Sequence, residues 1–237
     1  MWSYYGSKSK VIHLYPKPNY PKIIEPFAGT ARYALRWWDR DVLLLDKYEV
    51  IVKIWKWLQL CSPNDILKMP TPDLGEKIER ESFDCEEAFL LMSFLVQAGV
   101  SSPRFTVTSF GHTGSGGIEN KKLHISKSLF KIKHWKIQQG DYRELENTEA
   151  TWFIDPPYQF GGEDYKFGNS EINFCELAQW CKTRKGEAIV CENVKADWLP
   201  FLPMSNRVDN NIRGKKVIEA IWTSFPVHYE TQQQKLF

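Results

Sequence analysis

The chain reads as an α/β protein: a mostly parallel sheet with helices on both faces, interrupted by a smaller inserted segment. Three observations predict this. Short apolar runs bounded by acids or prolines alternate with helix-spaced stretches over residues 21–60. The same alternation resumes after residue 150. Between the two lies a stretch whose composition and charge differ from both.

Taken in order, Pro21 to Phe27 is a short apolar run ended by a turn, the pattern of a buried strand. Gly29-Thr30-Ala31 opens a helix expected to run through Trp38. Asp41 to Asp46 holds Val42, Leu43, Leu44 and Leu45 between two acids, a second buried strand. From Lys47 to Leu60, Val50, Ile51, Ile54, Trp55 and Leu58 recur at helical spacing. Ser62 to Pro72 is polar and contains prolines, so a loop is expected. Glu86 to Ala98 is strongly apolar and predicts a helix. Ser101 to Gly117 carries Pro103, Gly111, Gly114, Gly116 and Gly117 and predicts a mobile loop. Trp152 to Asp155 is again strand-like and runs into Pro156-Pro157-Tyr158. Asn173 to Lys182 predicts a helix; Glu187 to Cys191 and Val217 to Phe225 predict further strands. The division that follows is a sheet domain from 1–60 and 137–237, with an insertion at 61–136.

Length and composition agree with such a domain. The 237 residues are enough to bury a substantial core, and 43% are hydrophobic against 25% charged. No run approaches the ~18 apolar residues a membrane helix needs. Met1 to Gly6 has no basic-then-apolar signal pattern, so a cytoplasmic location is expected. Cys61, Cys85, Cys175, Cys181 and Cys191 include no C-x-x-C pair, which argues against a disulfide framework or structural zinc. His13, His112, His124, His134 and His228 show no metal-ligand spacing, so no metal is expected. Trp37-Trp38 and Trp55-x-Trp57 suit core packing better than a base-stacking platform. Gln232 to Gln234 reads as a disordered tail.

The net charge of +2 hides an asymmetry. Val100 to Lys136 holds seven cations, Arg104, Lys121, Lys122, Lys127, Lys131, Lys133 and Lys136, against one acid, Glu119. Ile137 to Glu171 reverses this, with eight acids against Arg143 and Lys166. A basic segment beside an acidic one calls for a reason, and a polyanion partner is one candidate.

Two motifs carry chemistry. In Glu25-Pro26-Phe27-Ala28-Gly29-Thr30-Ala31 a strand meets a helix, Gly29 allows a close backbone approach, and Asp46 ends the next strand. An acid at that place hydrogen-bonds ribose hydroxyls in nucleotide-binding folds, so a nucleoside-containing cofactor fits. A plain tight turn with a surface aspartate fits equally well. The second motif is Asp155-Pro156-Pro157-Tyr158, which follows a strand directly. Its prolines stiffen the backbone and hold a carboxylate, a carbonyl and an aromatic face together. Asp155 and the Pro156 carbonyl can accept the two N–H bonds of an exocyclic amine on a base, and Tyr158 can stack on that base. The target atom is unreachable inside a duplex, so the base must be flipped out.

These residues resemble the Dam-type N6-adenine DNA methyltransferases over most of the chain. Tyr4-Tyr5-Gly6-Ser7-Lys8 is similar to the family's N-terminal cofactor-contacting element, and Glu25 to Ala31 to its Asp-Pro-Phe-x-Gly-x-Gly motif. Glu25 in place of Asp and Ala31 in place of the last Gly are departures. Asp46 matches the ribose-binding acid, Gly140-Asp141-Tyr142 the element near the cofactor adenine, and Asp155 to Tyr158 the catalytic motif. Glu192-Asn193 and Ile221 to Phe225 resemble later sheet strands. The resemblance implies a Rossmann-like S-adenosylmethionine-dependent methyltransferase sheet with a mainly helical target-recognition insertion. It implies S-adenosylmethionine bound by Tyr4, Tyr5, Gly6, Lys8, Glu25, Pro26, Phe27, Ala28, Gly29, Asp46, Asp141 and Asp155. It implies double-stranded DNA as partner of a monomer or weak dimer in a bacterial or phage-infected cell. Arg104 and His112 are then candidate base readers, and Lys121, Lys122 and Lys127 candidate phosphate contacts.

Other readings stay open. The same tetrapeptide serves N4 of cytosine or an RNA amine. A non-catalytic DNA-binding protein can use the same scaffold, and the Gly turn with Asp46 also suits a nicotinamide enzyme. Attack on carbon 5 of cytosine is disfavoured, because no Pro-Cys pair supplies the nucleophile that reaction needs.

Overall fold

One sheet, buried on both faces, organises the chain. The structure, a computed structural model, describes residues 2, 4–8, 11–97, 99–113, 116–204, 209–210 and 216–226. The expectations for Gly114, His228 and Gln232 to Gln234 fall outside those residues.

In chain order the elements are β1 (Lys22–Glu25), α1 (Arg32–Arg36), β2 (Asp41–Asp46), α2 (Glu49–Leu60), α3 (Pro63–Leu67) and α4 (Glu86–Leu95). Then come α5 (Ser109–Thr113), α6 (Gly117–Ser126), β3 (Lys136–Gln139), β4 (Ala150–Ile154), α7 (Phe174–Lys182) and β5 (Gly186–Asn193). Four short strands close the described chain: β6 (Leu202–Pro203), β7 (Asp209–Asn210), β8 (Lys216–Val217) and β9 (Glu219–Thr223). The main sheet has seven strands in the order β3-β2-β1-β4-β5-β9-β6, and β7 pairs with β8 alone. β3, β2, β1, β4 and β5 are mutually parallel, and β9 runs antiparallel to β5 and β6.

The continuous apolar runs follow from burial on both sides. Ile23, Leu44, Phe153 and Ile189 face one cluster, while their neighbours Ile24, Leu45, Trp152 and Val190 face the other. Side chains alternate across a strand, so a strand covered on both faces has no polar side to show. All of β4 is buried. On the first face lie α1, α2, α4 and α6; on the second lies α7, with Leu177, Ala178 and Cys181.

Several boundaries differ from expectation, each for a local reason. α1 stops at Arg36, because Trp37 leaves helical geometry at φ −118°, ψ 41°. Ser62 to Pro72 is not all loop. Ser62 and Asp65 form a capping box, and Pro63 occupies the first turn where its missing N–H costs nothing, so α3 forms. The expected loop of Ser101 to Gly117 contains α5 and a bridge from Thr106 to Lys77. β3 escaped detection. It starts at Lys136, on the sheet edge, and its four residues are exposed or half-buried, with no apolar run to mark it. Residues 61–135 share the first-face cluster with the sheet, through Leu91, Phe94, Ile118, Ile125 and Leu129. Trp55 packs against Trp2 at 4.7 Å and Trp135 at 5.8 Å between ring centres, so this tryptophan is core.

The topology positions a site. Leaving β1, the chain passes to β2 on one side; β4 lies on the other. The strand order therefore reverses between β1 and β4, and open α/β sheets bind ligands in the crevice beyond the strand ends at such a point. Glu25 ends β1, and Asp155 follows β4. No helix among the described residues is long and apolar enough to cross a membrane.

Candidate functional site

A cleft of some 980 Å³, counting its open mouth, lies at the reversal point. Tyr4, Tyr5, Gly6, Lys8, the turn from Glu25 to Ala31, Asp46, Asp141, Asp155 and Pro157 all line it.

The Gly turn is tied down from two sides. Ala28 N–H donates to the Leu45 carbonyl at 3.0 Å and Gly29 N–H to Asp46 Oδ2 at 2.9 Å. Trp55 Nε1 donates to the Gly29 carbonyl at 2.8 Å. Asp46 Oδ1 accepts from Tyr48 N–H at 2.8 Å. Burial pushes Asp46 up to about 6, with those two N–H groups pulling it back. Each of its oxygens carries one backbone bond and can accept a further donor, such as a sugar hydroxyl. Phe27 and Tyr142, 5.4 Å apart between ring centres, give this end of the cleft an aromatic wall.

Two motif acids have other tasks. Glu25 is 2% exposed and its Oε1 accepts from Ala34 N–H at 2.6 Å. Ala31, which precedes α1, is left-handed at φ 46° and supplies no capping side chain, so Glu25 satisfies a helix-start N–H from β1. Burial pushes Glu25 up to about 8. Asp141 is held by Arg143, Nε to Oδ1 at 2.7 Å and Nη2 to Oδ2 at 2.9 Å, which lowers its pKa.

At the Asp155 end the N-terminal element supplies a counter-ion. Lys8 Nζ lies 2.7 Å from Asp155 Oδ1 and is only 6% exposed. It also donates to the Gly6 carbonyl at 3.2 Å, and sits 4.6 Å from the centre of the Tyr158 ring. Burial pushes Asp155 up to about 6, against the downward pull of Lys8. Burial would lower Lys8, but Asp155 and Glu219 hold it well above its ordinary value. Gly6 is at φ 72°, and a side chain there would strike the Tyr165 hydroxyl. Tyr165 donates to the Tyr5 carbonyl at 3.2 Å, so the segment after the tetrapeptide packs onto the N-terminal element.

Pro156 is buried and Pro157 faces the cleft. Tyr158 is set back from the lining, with its hydroxyl donating to Glu219. Glu219, Tyr15 and Cys191 complete this buried group and were not expected from the sequence. Glu219 Oε1 accepts from Tyr15 at 2.6 Å and lies 3.6 Å from Lys8 Nζ. An acid opening the apolar run Ala220-Ile221-Trp222 was the available signal. Burial pushes the Cys191 thiol well up, which suits an inert core thiol better than a nucleophile.

The expected DNA contacts do not line the cleft. Arg104 and Lys127 are exposed and His112 is half-buried on α5. Lys122 has to be withdrawn as a phosphate contact. It is 2% exposed, and its ammonium donates to the Met69 carbonyl at 2.6 Å, Thr71 at 3.0 Å and Glu119 at 2.9 Å. Lys121 is likewise taken up by carbonyls, Gly111 at 2.6 Å and Leu95 at 3.1 Å. Lys133 holds Gln59 and Cys61 carbonyls at the end of α2. Part of the basic run therefore serves helix ends, where cations are favoured. Among the described residues no group of three or more His, Cys, Asp or Glu side chains can hold a metal ion. Comparison with models of known protein families finds none that matches the chain, and comparison with curated proteins finds no match either.

Proposed function

We propose that this chain is an S-adenosylmethionine-dependent methyltransferase of the Dam type, acting on the N6 amine of an adenine flipped out of duplex DNA. The observation that carries the reading is one cleft, at the strand-order reversal, with Asp46 at one end and Asp155 at the other. The donor set suits the cofactor. Asp46 is a diol acceptor, Phe27 and Tyr142 offer an aromatic wall for a purine, and the backbone at Gly29 permits close approach. Bound there, S-adenosylmethionine supplies an electrophilic methyl group on a sulfonium.

The chain's own residues then orient the amine. Asp155 accepts one N–H and the Pro156 carbonyl the other, which turns the nitrogen lone pair toward the methyl group. Holding reactants aligned is a large part of such catalysis. The proton that nitrogen sheds on methylation passes to Asp155, whose raised pKa suits the task. Residues 61–136 serve as target-recognition region, with Arg104, His112 and Lys127 toward the duplex.

Two measurements test this. Calorimetry should show binding of S-adenosylmethionine and not NAD; the reverse would make this a nicotinamide enzyme. Labelled methyl transfer to duplexes carrying only adenine or only cytosine amines should mark adenine. Transfer confined to cytosine would move the assignment to N4, and no transfer to any nucleic acid would remove it.

A further inference from the structure

We infer that Glu219 is a positioning residue that offers Lys8 a second carboxylate, so that Asp155 can release Lys8 and take the substrate amine. This inference rests on the methyltransferase reading above and deepens it. As it stands, Asp155 is not free. Lys8 Nζ lies 2.7 Å from Oδ1, in the place a base amine must reach. Lys8 is buried, so it cannot swing into water when a substrate arrives, and leaving its charge there without a partner is strongly unfavourable. Among the described residues Glu219 Oε1, 3.6 Å from the same ammonium, is the other carboxylate in ion-pair range. A movement of about 1 Å transfers Lys8 between them without exposing a charge.

Glu219 is itself held. It sits on β9 opposite Asn193 of β5, so its backbone is fixed by the sheet. Its Oε1 accepts from both Tyr15 and Tyr158. The Tyr15 ring packs edge-on to Phe153 at 5.1 Å, which anchors that phenol in the core. Through Tyr158 the same carboxylate fixes the aromatic ring of the catalytic tetrapeptide. One acid, on a strand two places from β4 in the sheet, thus sets both the tyrosine orientation and the resting place of the lysine. It lies over 200 residues from Lys8 in sequence.

The test compares Glu219→Gln and Glu219→Asp with the unaltered protein. Cofactor affinity is read by calorimetry, and single-turnover methyl transfer to an adenine duplex is followed from pH 5 to pH 8. The groups electrostatically coupled to Asp155 are Lys8, Tyr158 and Tyr165, Glu25 from β1, Cys191 from β5, Glu219 from β9, and Tyr15. Glu219 raises Asp155, so removing its charge should let Asp155 ionise at lower pH. Glu219→Gln keeps an acceptor for the tyrosines but loses the charge. It should leave cofactor affinity within about twofold, slow transfer tenfold or more, and move the acid limb of the rate to lower pH. Glu219→Asp should recover part of the rate. A merely structural loss would slow transfer with the acid limb unmoved, and that result overturns the inference, as does a Gln variant with unaltered rate. If the unaltered protein transfers methyl to no base, the functional reading fails first and takes this inference with it.

Discussion

Asp155 meets three demands at once: it must be ionised, lie at a strand end, and be approachable. Burial pushes it up to about 6, so the carboxylate form is lost as pH falls through that value. Methyl transfer is therefore expected to be full above about pH 7 and to fall below 6, measured as single-turnover rate. Asp155→Ala should cut turnover by at least about a hundredfold, with much less effect on DNA affinity. Near-normal turnover would remove Asp155 from the chemistry. Ala31 shows what a single backbone angle demands. It is the only non-glycine at positive φ among the described residues. Replacement by Gly relieves about 1–2 kcal/mol of left-handed strain but gives up a buried methyl and adds chain entropy of similar size. Ala31→Gly is thus expected within about 1 kcal/mol of the parent. Ala31→Val, β-branched at a left-handed position, should cost more than about 2 kcal/mol. Denaturant unfolding checks the order; Val above Gly would show that the turn is not left-handed.

At the scale of elements, the segment between α3 and β3 is more structural than its charge suggests. Lys122 joins α6 to the carbonyl of Met69 just beyond α3, and removal strands a buried acceptor. Lys122→Ala should lower stability by about 2–4 kcal/mol. Lys127, on the solvent side at the end of the same helix, should be neutral within about 0.5 kcal/mol. DNA binding against salt separates the two differently. Lys127→Ala should reduce the log–log slope by about one if it meets a phosphate, whereas a properly folded Lys122 variant should leave it unchanged. An altered slope in the Lys122 variant alone would place its ammonium at the DNA surface.

For the whole molecule, the buried carboxyls of the cleft and of β5 make a stability cost that depends on pH. Glu25, Asp46, Asp155 and Glu192 are raised by burial to about 8, 6, 6 and 7. Each binds its proton more tightly folded than unfolded. Their contribution is fully present below the ordinary carboxyl range and is lost as pH rises through 6 to 8. The melting temperature should therefore fall between pH 5 and pH 8. Glu25→Gln keeps an acceptor for Ala34 N–H and cannot ionise, so it should flatten much of that fall. A melting temperature that rises over this interval in the parent would contradict the buried acids.

The sequence by itself determined the elements that are doubly buried and the motifs that are short. β2, β4 and α2 announced themselves because apolar periodicity is a local record of which side faces the core. The Gly turn and the Asp155 tetrapeptide were legible because their residues are neighbours in the chain and their backbone character, glycine's freedom in one and proline's stiffness in the other, is intrinsic. Only the tertiary structure decided the rest. β3 is a polar edge strand, recognisable by its partner and not by its residues. The burial of Lys122 could not be read from a run of cations, since charge does not say which face of a helix it occupies. Lys8, Tyr15, Asp155, Tyr158 and Glu219 meet only when the sheet brings strand ends together from across the chain. A contact between residues far apart in sequence leaves no periodicity behind it, and the electrostatics of the cleft depend on those contacts.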